Sequence, residues 1–291
     1  MIEIIDGIVS GIATSGGSGG QTINNEDMTI TSNGIYTASE GYTGIGTATV
    51  NVPAGSDQKY GATINNFLGD VDANGLLLIP SSADFVFTGV KDINKSYISH
   101  RYSYMGNIRS VVFPDLESIT RNNALEQGFG IEQVVPNDAL ETIIFSKLKT
   151  VSGRYGMMTC FGGREHFNNF DSSVFPVLEE LTGSDAMNKC FTKCTSLTSA
   201  IFPSLKIMTG DSALRYCFND CTSLTSISFP ALKSDSFGSY TNQFSGMLNS
   251  CSNVTVHFPS NLQSVIGSWS DVQNGFGGTN TVVLFDLPAT E

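Results

Sequence analysis

One duplication constrains this chain more than any other feature. The stretch Cys190-Phe191-Thr192-Lys193-Cys194-Thr195-Ser196-Leu197-Thr198-Ser199-Ala200-Ile201-Phe202-Pro203 returns, 27 residues later, as Cys217-Phe218-Asn219-Asp220-Cys221-Thr222-Ser223-Leu224-Thr225-Ser226-Ile227-Ser228-Phe229-Pro230. A fixed period of this size marks a solenoid, in which each unit buries its apolar face only by stacking on its neighbours. Anchored on the Phe-Pro or Phe-Ser step, units fall at Phe113, Phe145, Phe175, Phe202, Phe229 and Phe258, with spacings of 32, 30, 27, 27 and 29 residues. The expected fold is mainly β, a β-rich α/β solenoid of about six units over residues 100–291, with a C-terminal cap.

Within a unit the pattern is Leu-x-x-Ile-x-Phe-Pro-x-Leu-x-x-Ile. It reads Ile108, Val111, Phe113, Leu116, Ile119 in one copy and Leu140, Ile143, Phe145, Leu148, Val151 in the next. The third unit departs, with Phe170 and Ser173 at the leading positions, and the last has Asn253 where Leu is expected. Each unit is expected to supply one short strand that ends at the proline, because proline donates nothing to a β ladder. The return side is expected to carry short helical or irregular turns such as Met187 to Lys193. A final strand at Thr281–Phe285, with Trp269, is expected to cover the end of the stack.

These repeats resemble the BspA-like, or Treponema-type, leucine-rich repeats over roughly residues 100–266, since period, Phe-x-x-Cys and Leu-x-x-Ile-x-Phe-Pro recur together. The resemblance implies a leucine-rich-repeat solenoid in a non-enzymatic surface or host-contact protein.

Composition narrows the partners. Only 14% of residues are charged, so the polar surface is built from Ser, Thr, Asn and the 30 glycines, which suits strands and tight turns. A net charge of -12 disfavours nucleic acid and anionic membrane surfaces. No apolar run reaches the roughly 20 residues that a membrane-inserted helix needs.

The first 99 residues divide into an arm and Gly/Ser linker (1–21), a small β module (22–58) and a connecting or N-capping segment (59–99). The arm is apolar through Ile2, Ile4, Ile5, Ile8 and Val9, and these are the expected attachment residues. It carries Glu3 and Asp6 but no basic residue, which argues against a secretory signal. Asn33-Gly34 between Met28–Thr31 and Ile35–Thr37 is a hairpin signal. So small a module is expected to oligomerise or dock. Residues Asn33 to Pro53 resemble a short β module of tail and fibre-like proteins in phages and prophages of Gram-positive bacteria. That resemblance implies a virion tail, baseplate or fibre component, assembled in the host cytoplasm, bound to other virion proteins and meeting a host cell-surface protein or glycan. The alternative is a bacterial cell-surface adhesin.

Catalytic and cofactor signals are sparse, and neither an activity nor a cofactor is expected. The six cysteines, Cys160, Cys190, Cys194, Cys217, Cys221 and Cys251, admit zinc, disulfide and plain packing readings. Packing is favoured, because Met247 replaces Cys in one rung and keeps only its apolar character. Asp70-Val71-Asp72-Ala73-Asn74-Gly75 matches half a calcium loop, with Ser81 where a bidentate Glu belongs, so a plain turn is favoured. Arg164-Glu165-His166 reads as a charged surface turn. Phe129 and Phe276, in Gly-rich turns, read as aromatics folded onto the core. The remaining candidate is the outward strand face. Strand alternation turns Val112, Ile144, Val174, Ile201, Ser228 and His257 outward in one column, and Ser199 and Ser226 in the small polar column beside it. Contiguous apolar residues on a solvated sheet suit a partner, so this face is the expected binding surface.

Overall fold

The computed structural model describes residues 108–290, apart from 136–137 and 239–241, together with the backbone of nine short strands before them; side chains are described from Ser110 onward. Asp70 to Ser81 lie outside the described residues, and so do the side chains of Ile2, Ile4, Ile5, Ile8 and Val9.

Among the early strands, β1 (Ile4–Ile5) pairs antiparallel with β2 (Ile8–Val9), and β3 (Gln21–Ile23) runs parallel to β5 (Gly34–Ala38). Asn33 lies outside the described residues, and among those described the two strands flanking Asn33-Gly34 do not pair with each other. Strand β4 (Met28–Thr29) instead pairs with β7 (Lys59–Tyr60), and Gly34 opens β5, which pairs antiparallel with β6 (Thr47–Val50). Both flanking runs alternate equally well, so the pattern leaves the choice of partner to longer-range pairing.

From Ala83 on, two parallel ladders rise together. The first holds β8 (Ala83–Thr88), β10 (Ile108–Val112) and β12 (Thr142–Ile144), and after one break β15 (Ser199–Ile201), β16 (Ser226–Ser228), β17 (Thr255–Pro259) and β18 (Val282–Leu287). The second holds the two-residue strands β9 (Asp92–Ile93), β11 (Ser118–Ile119), β13 (Thr150–Val151) and β14 (Glu180–Leu181). One sequence repeat is one turn of a β-solenoid of about six turns, with little helix. The stack reaches back before residue 100, because β8 and β9 pair in parallel with β10 and β11.

The phenylalanines explain the cooperation between turns. Phe113, Phe145, Phe175, Phe202, Phe229, Phe258 and Phe285 form one column, with successive ring centroids 5.1, 5.2, 6.3, 5.4, 5.4 and 5.8 Å apart and nearly parallel planes. Phe129, Phe161, Phe191 and Phe218 form a second, at 5.6, 5.6 and 5.8 Å, set edge-on to the first. All of these rings except Phe285 are fully buried. Backbone bonds join the columns to the ladders: the Phe113, Phe145, Phe202 and Phe229 N–H groups each donate to the following turn, at 2.8 to 3.1 Å. Phe129 and Phe276 are core residues, as expected.

The third unit breaks the first ladder for a local reason. The Asp171 carboxylate accepts from the Ser173 N–H at 2.7 Å and from its hydroxyl at 2.6 Å, closing a turn where neighbouring units place a strand. Those bonds hold the Asp171 carboxyl below its ordinary pKa. In the first ladder, among the described residues, a single bridge, Phe170 to Ala200, joins this rung to the next.

The return side is a chain of overlapping four-residue turns. Along Gly153–Gly163 the N–H groups alternate: Gly156, Met158, Cys160 and Gly162 bond three residues back, while Tyr155, Met157, Thr159, Phe161 and Gly163 bond to the next rung. Such a zigzag needs left-handed residues at intervals, and Tyr155, Thr159, Asp185, Lys189, Lys193, Ser212, Tyr216 and Asp220 supply them with φ of 51 to 60°. A lone side chain at such φ costs of order 1–3 kcal/mol, sustained here by bonds on both sides. Short helices α1 (Gln263–Ile266) and α2 (Ser270–Gln273) replace the turns in the last return segment, where Trp269 packs edge-on against Phe237 at 4.8 Å.

Candidate functional site

The outward strand face was built from eight positions, and two of them are buried. Val112 is 2% exposed and Val174 1% exposed. Val112 lies on β10, inside a six-stranded sheet that continues into the early strands, and both it and Ser110 are buried on the outward side. Val174 lies in the third unit, where the Asp171 turn removes strand alternation and the side chain joins the core. No four-residue apolar stripe therefore exists. Ile144 and Ile201 are half-buried and stand on either side of the broken rung.

What remains contiguous is the face of β15 to β18. Ser199, Ser226, Thr255 and Val282 are successive Cα partners, and so are Ile201, Ser228, His257 and Leu284. Ser199 is exposed, and Ser226, Ser228 and His257 are half-buried. The His257 Nδ1 lies 3.0 Å from both carboxylate oxygens of Asp286 on the next strand. The face is thus hydroxyl-rich at its centre, carries one imidazole–carboxylate pair, and is apolar at its ends through Ile201 and through Val282 and Leu284.

The thiols serve the interior. All six are free and buried. Cys194, Cys221 and Cys251 each donate an S–H to the Phe carbonyl of the preceding rung, Phe161, Phe191 and Phe218, at 3.4, 3.1 and 3.1 Å. Burial pushes every one of these thiols up, Cys251 least, to about 11. Among the described residues no three His, Cys, Asp or Glu are grouped to hold a metal ion. Because a raised thiol pKa favours the folded state only while the thiol is protonated, this contribution is complete below the ordinary value near 9 and is lost as pH rises toward 11 and beyond. The native chain is expected to be inert to an aromatic disulfide reagent at pH 8, with all six thiols reacting in denaturant and Cys251 the first to react as pH rises. A stoichiometric fast reaction at pH 8 without denaturant would contradict this placement.

Sequence reasoning placed Arg164 in a charged surface turn with Glu165 and His166, and the structure buries it. It occupies the position that Cys194, Cys221 and Cys251 hold in later rungs, and its Nε donates to the Phe129 carbonyl as those thiols do. It is fully buried, and its Nη1 bonds the Asp138 carboxylate at 3.1 Å. Asp138 in turn accepts from the backbone N–H of Leu140 at 3.2 Å and of His166 at 2.8 Å, while the His166 ring stays exposed. The signal was available: Arg164 stands four residues after Cys160, as Cys194 does after Cys190. Breaking such a pair strands a buried charge, so Arg164→Met is expected to cost about 3–5 kcal/mol. The double variant Arg164→Cys with Asp138→Asn restores the neighbours' chemistry and is expected to recover at least half of that loss in urea unfolding. A double variant less stable than Arg164→Met would show that the charge pair is not the reason.

No family model, no curated protein and no solved structure matches this chain. Among the described residues no helix is long and apolar enough to cross a membrane.

Proposed function

We propose that this chain is a non-enzymatic structural protein of a phage virion, a tail, baseplate or fibre component. Its N-terminal arm and β module attach it to other virion proteins, and its solenoid, a leucine-rich repeat of the BspA-like kind, presents the β15 to β18 face to a host cell-surface protein or glycan. One observation carries the reading. The chemistry-bearing groups of the interior, six thiols and the Arg164–Asp138 pair, are bonded into rung-to-rung packing, while the outward strand positions form a regular hydroxyl array on a rigid core. Regular, pre-ordered side chains on a stiff scaffold lose little entropy when they bind, which suits recognition of a repetitive surface. The resemblance of Asn33 to Pro53 to phage tail modules supplies the setting.

Immunogold labelling with antibody against the solenoid tests this. Label on the tail tip or baseplate of phage particles is the expected result, together with competition of phage adsorption by the purified chain. Label confined to the envelope of uninfected bacteria would overturn it in favour of a cell-surface adhesin.

A further inference from the structure

The six buried thiols stand in two columns, three to a column. Cys160, Cys190 and Cys217 form the first, and Met247 continues it. The Phe161, Phe191 and Phe218 N–H groups donate to the carbonyls of Cys190, Cys217 and Met247 at 2.8, 2.9 and 3.0 Å, which sets each sulfur-bearing residue beside the next. Cys194, Cys221 and Cys251 form the second, each giving its S–H to a Phe carbonyl of the preceding rung. Neighbours within a column are one rung apart, about 4.8 Å. That lies inside the span of roughly 4.4–6.8 Å between Cα atoms that a disulfide bridges.

Yet no pairing suits this interior. A column of three leaves one thiol over, whichever pair forms. A disulfide sulfur carries no hydrogen, so a bridge through Cys194, Cys221 or Cys251 takes a donor from a buried carbonyl. A bridge also draws two Cβ atoms to about 3.8 Å, closer than the rungs stand. We propose that the fully reduced interior is the only one that packs, so the chain must finish folding in a reducing compartment before it meets an oxidising medium. While the chain is unfolded the thiols are exposed and partly ionised at pH 8. Cys190 with Cys194, and Cys217 with Cys221, are four residues apart, and loops this short close readily. With oxidised glutathione as the oxidant, one protein thiolate attacks a glutathione sulfur and expels a glutathione thiolate. A second protein thiolate then displaces the other glutathione. Two protein thiols lose two protons and two electrons, and the glutathione disulfide is reduced to two thiols. After folding the same sulfurs are out of reach, so the reduced form persists outside the compartment that made it.

Cell-free synthesis of the full chain tests this by order of exposure. Made in dithiothreitol, the chain is expected to be soluble, with a cooperative urea transition and six free thiols. Made in a glutathione buffer as oxidising as a secretory compartment, most of that yield is expected to be lost to disulfide-bonded chains, and later unfolding and refolding in dithiothreitol is expected to restore it. Chain made in dithiothreitol and then moved to the glutathione buffer is expected to keep its transition and its free thiols. A native yield in dithiothreitol no better than in glutathione would overturn the proposal. So would failed material that dithiothreitol does not rescue, or a folded chain that takes up disulfides and keeps its stability.

Discussion

Phe191→Ala is expected to be among the most damaging single substitutions in the chain, costing about 5 kcal/mol, at the top of the range for a buried Phe. The reason is the number of rings it serves. Phe191 stacks between Phe161 and Phe218, at 5.6 and 5.8 Å, and also meets Phe170 at 4.9 Å, Phe167 at 6.0 Å and Phe175 at 6.4 Å. Ring pairs of this kind add about 0.5–1.5 kcal/mol each beyond the area they bury. Neighbouring rungs are held by their own backbone bonds and cannot close the gap, so a cavity remains. Against a typical stability of about 5–15 kcal/mol, this loss is expected to leave the solenoid marginal. Phe285→Ala, at the half-buried end of the other column, is expected to cost less than about 2 kcal/mol. Urea unfolding of the two variants measures the contrast. Equal losses would mean that the columns do not carry the stability.

Gly183→Ala is expected to do comparable harm by the opposite route. Gly153, Gly183 and Gly210 follow the second ladder at one corner of successive rungs. A Cβ on Gly183 would sit 2.4 Å from the Gly153 carbonyl oxygen, and one on Gly210 would sit 2.1 Å from that of Gly183. The obstacle is backbone, fixed by the Thr182 and Gly183 N–H groups bonding the Val151 carbonyl at 3.1 and 3.2 Å. Adding a methyl must therefore push adjacent rungs apart and break ladder bonds, with an expected loss of at least about 3 kcal/mol. Thr182→Ala, one residue earlier and half-buried, is expected to change little. A Gly183→Ala variant that melts with the wild type would show that the rungs stand further apart at this corner than 2.4 Å allows.

The two variants mark how far the sequence could be read. The phenylalanine column was legible because it recurs at the repeat period with proline behind it, and a side chain that recurs at that beat must meet its own copies. The glycine column was equally periodic, in Val151-Ser152-Gly153, Leu181-Thr182-Gly183 and Met208-Thr209-Gly210, but glycine is common here and only the approach of two backbones gives it meaning. Strand alternation placed Ser199, Ser226, Ser228 and His257 on an outward face correctly. It failed at Val112, which is buried although it stands in the outward column, and at Val174, where the Asp171 turn replaces the strand. Arg164 was misread because charge was weighed above position. Its place in the repeat is the buried place of a cysteine, and the compensating Asp138 lies 26 residues away, beyond any local pattern. The return side was expected to carry short turns and does, but their regular zigzag was not legible: it asks for left-handed residues at Lys189, Tyr216 and similar positions, where composition points elsewhere.

The central claim, one repeat per rung in parallel register, is tested most directly by nitroxide labels on the outward face. Labels at Ser199 and Ser226, which are Cα partners on adjacent strands, are expected about 5 Å apart at the backbone, and labels at Ser199 and Thr255 about 10 Å apart. Continuous-wave EPR of the first pair should show strong dipolar broadening, and of the second a weaker but measurable effect. Spectra of the Ser199/Ser226 pair that match the sum of the single labels would contradict the stacked solenoid.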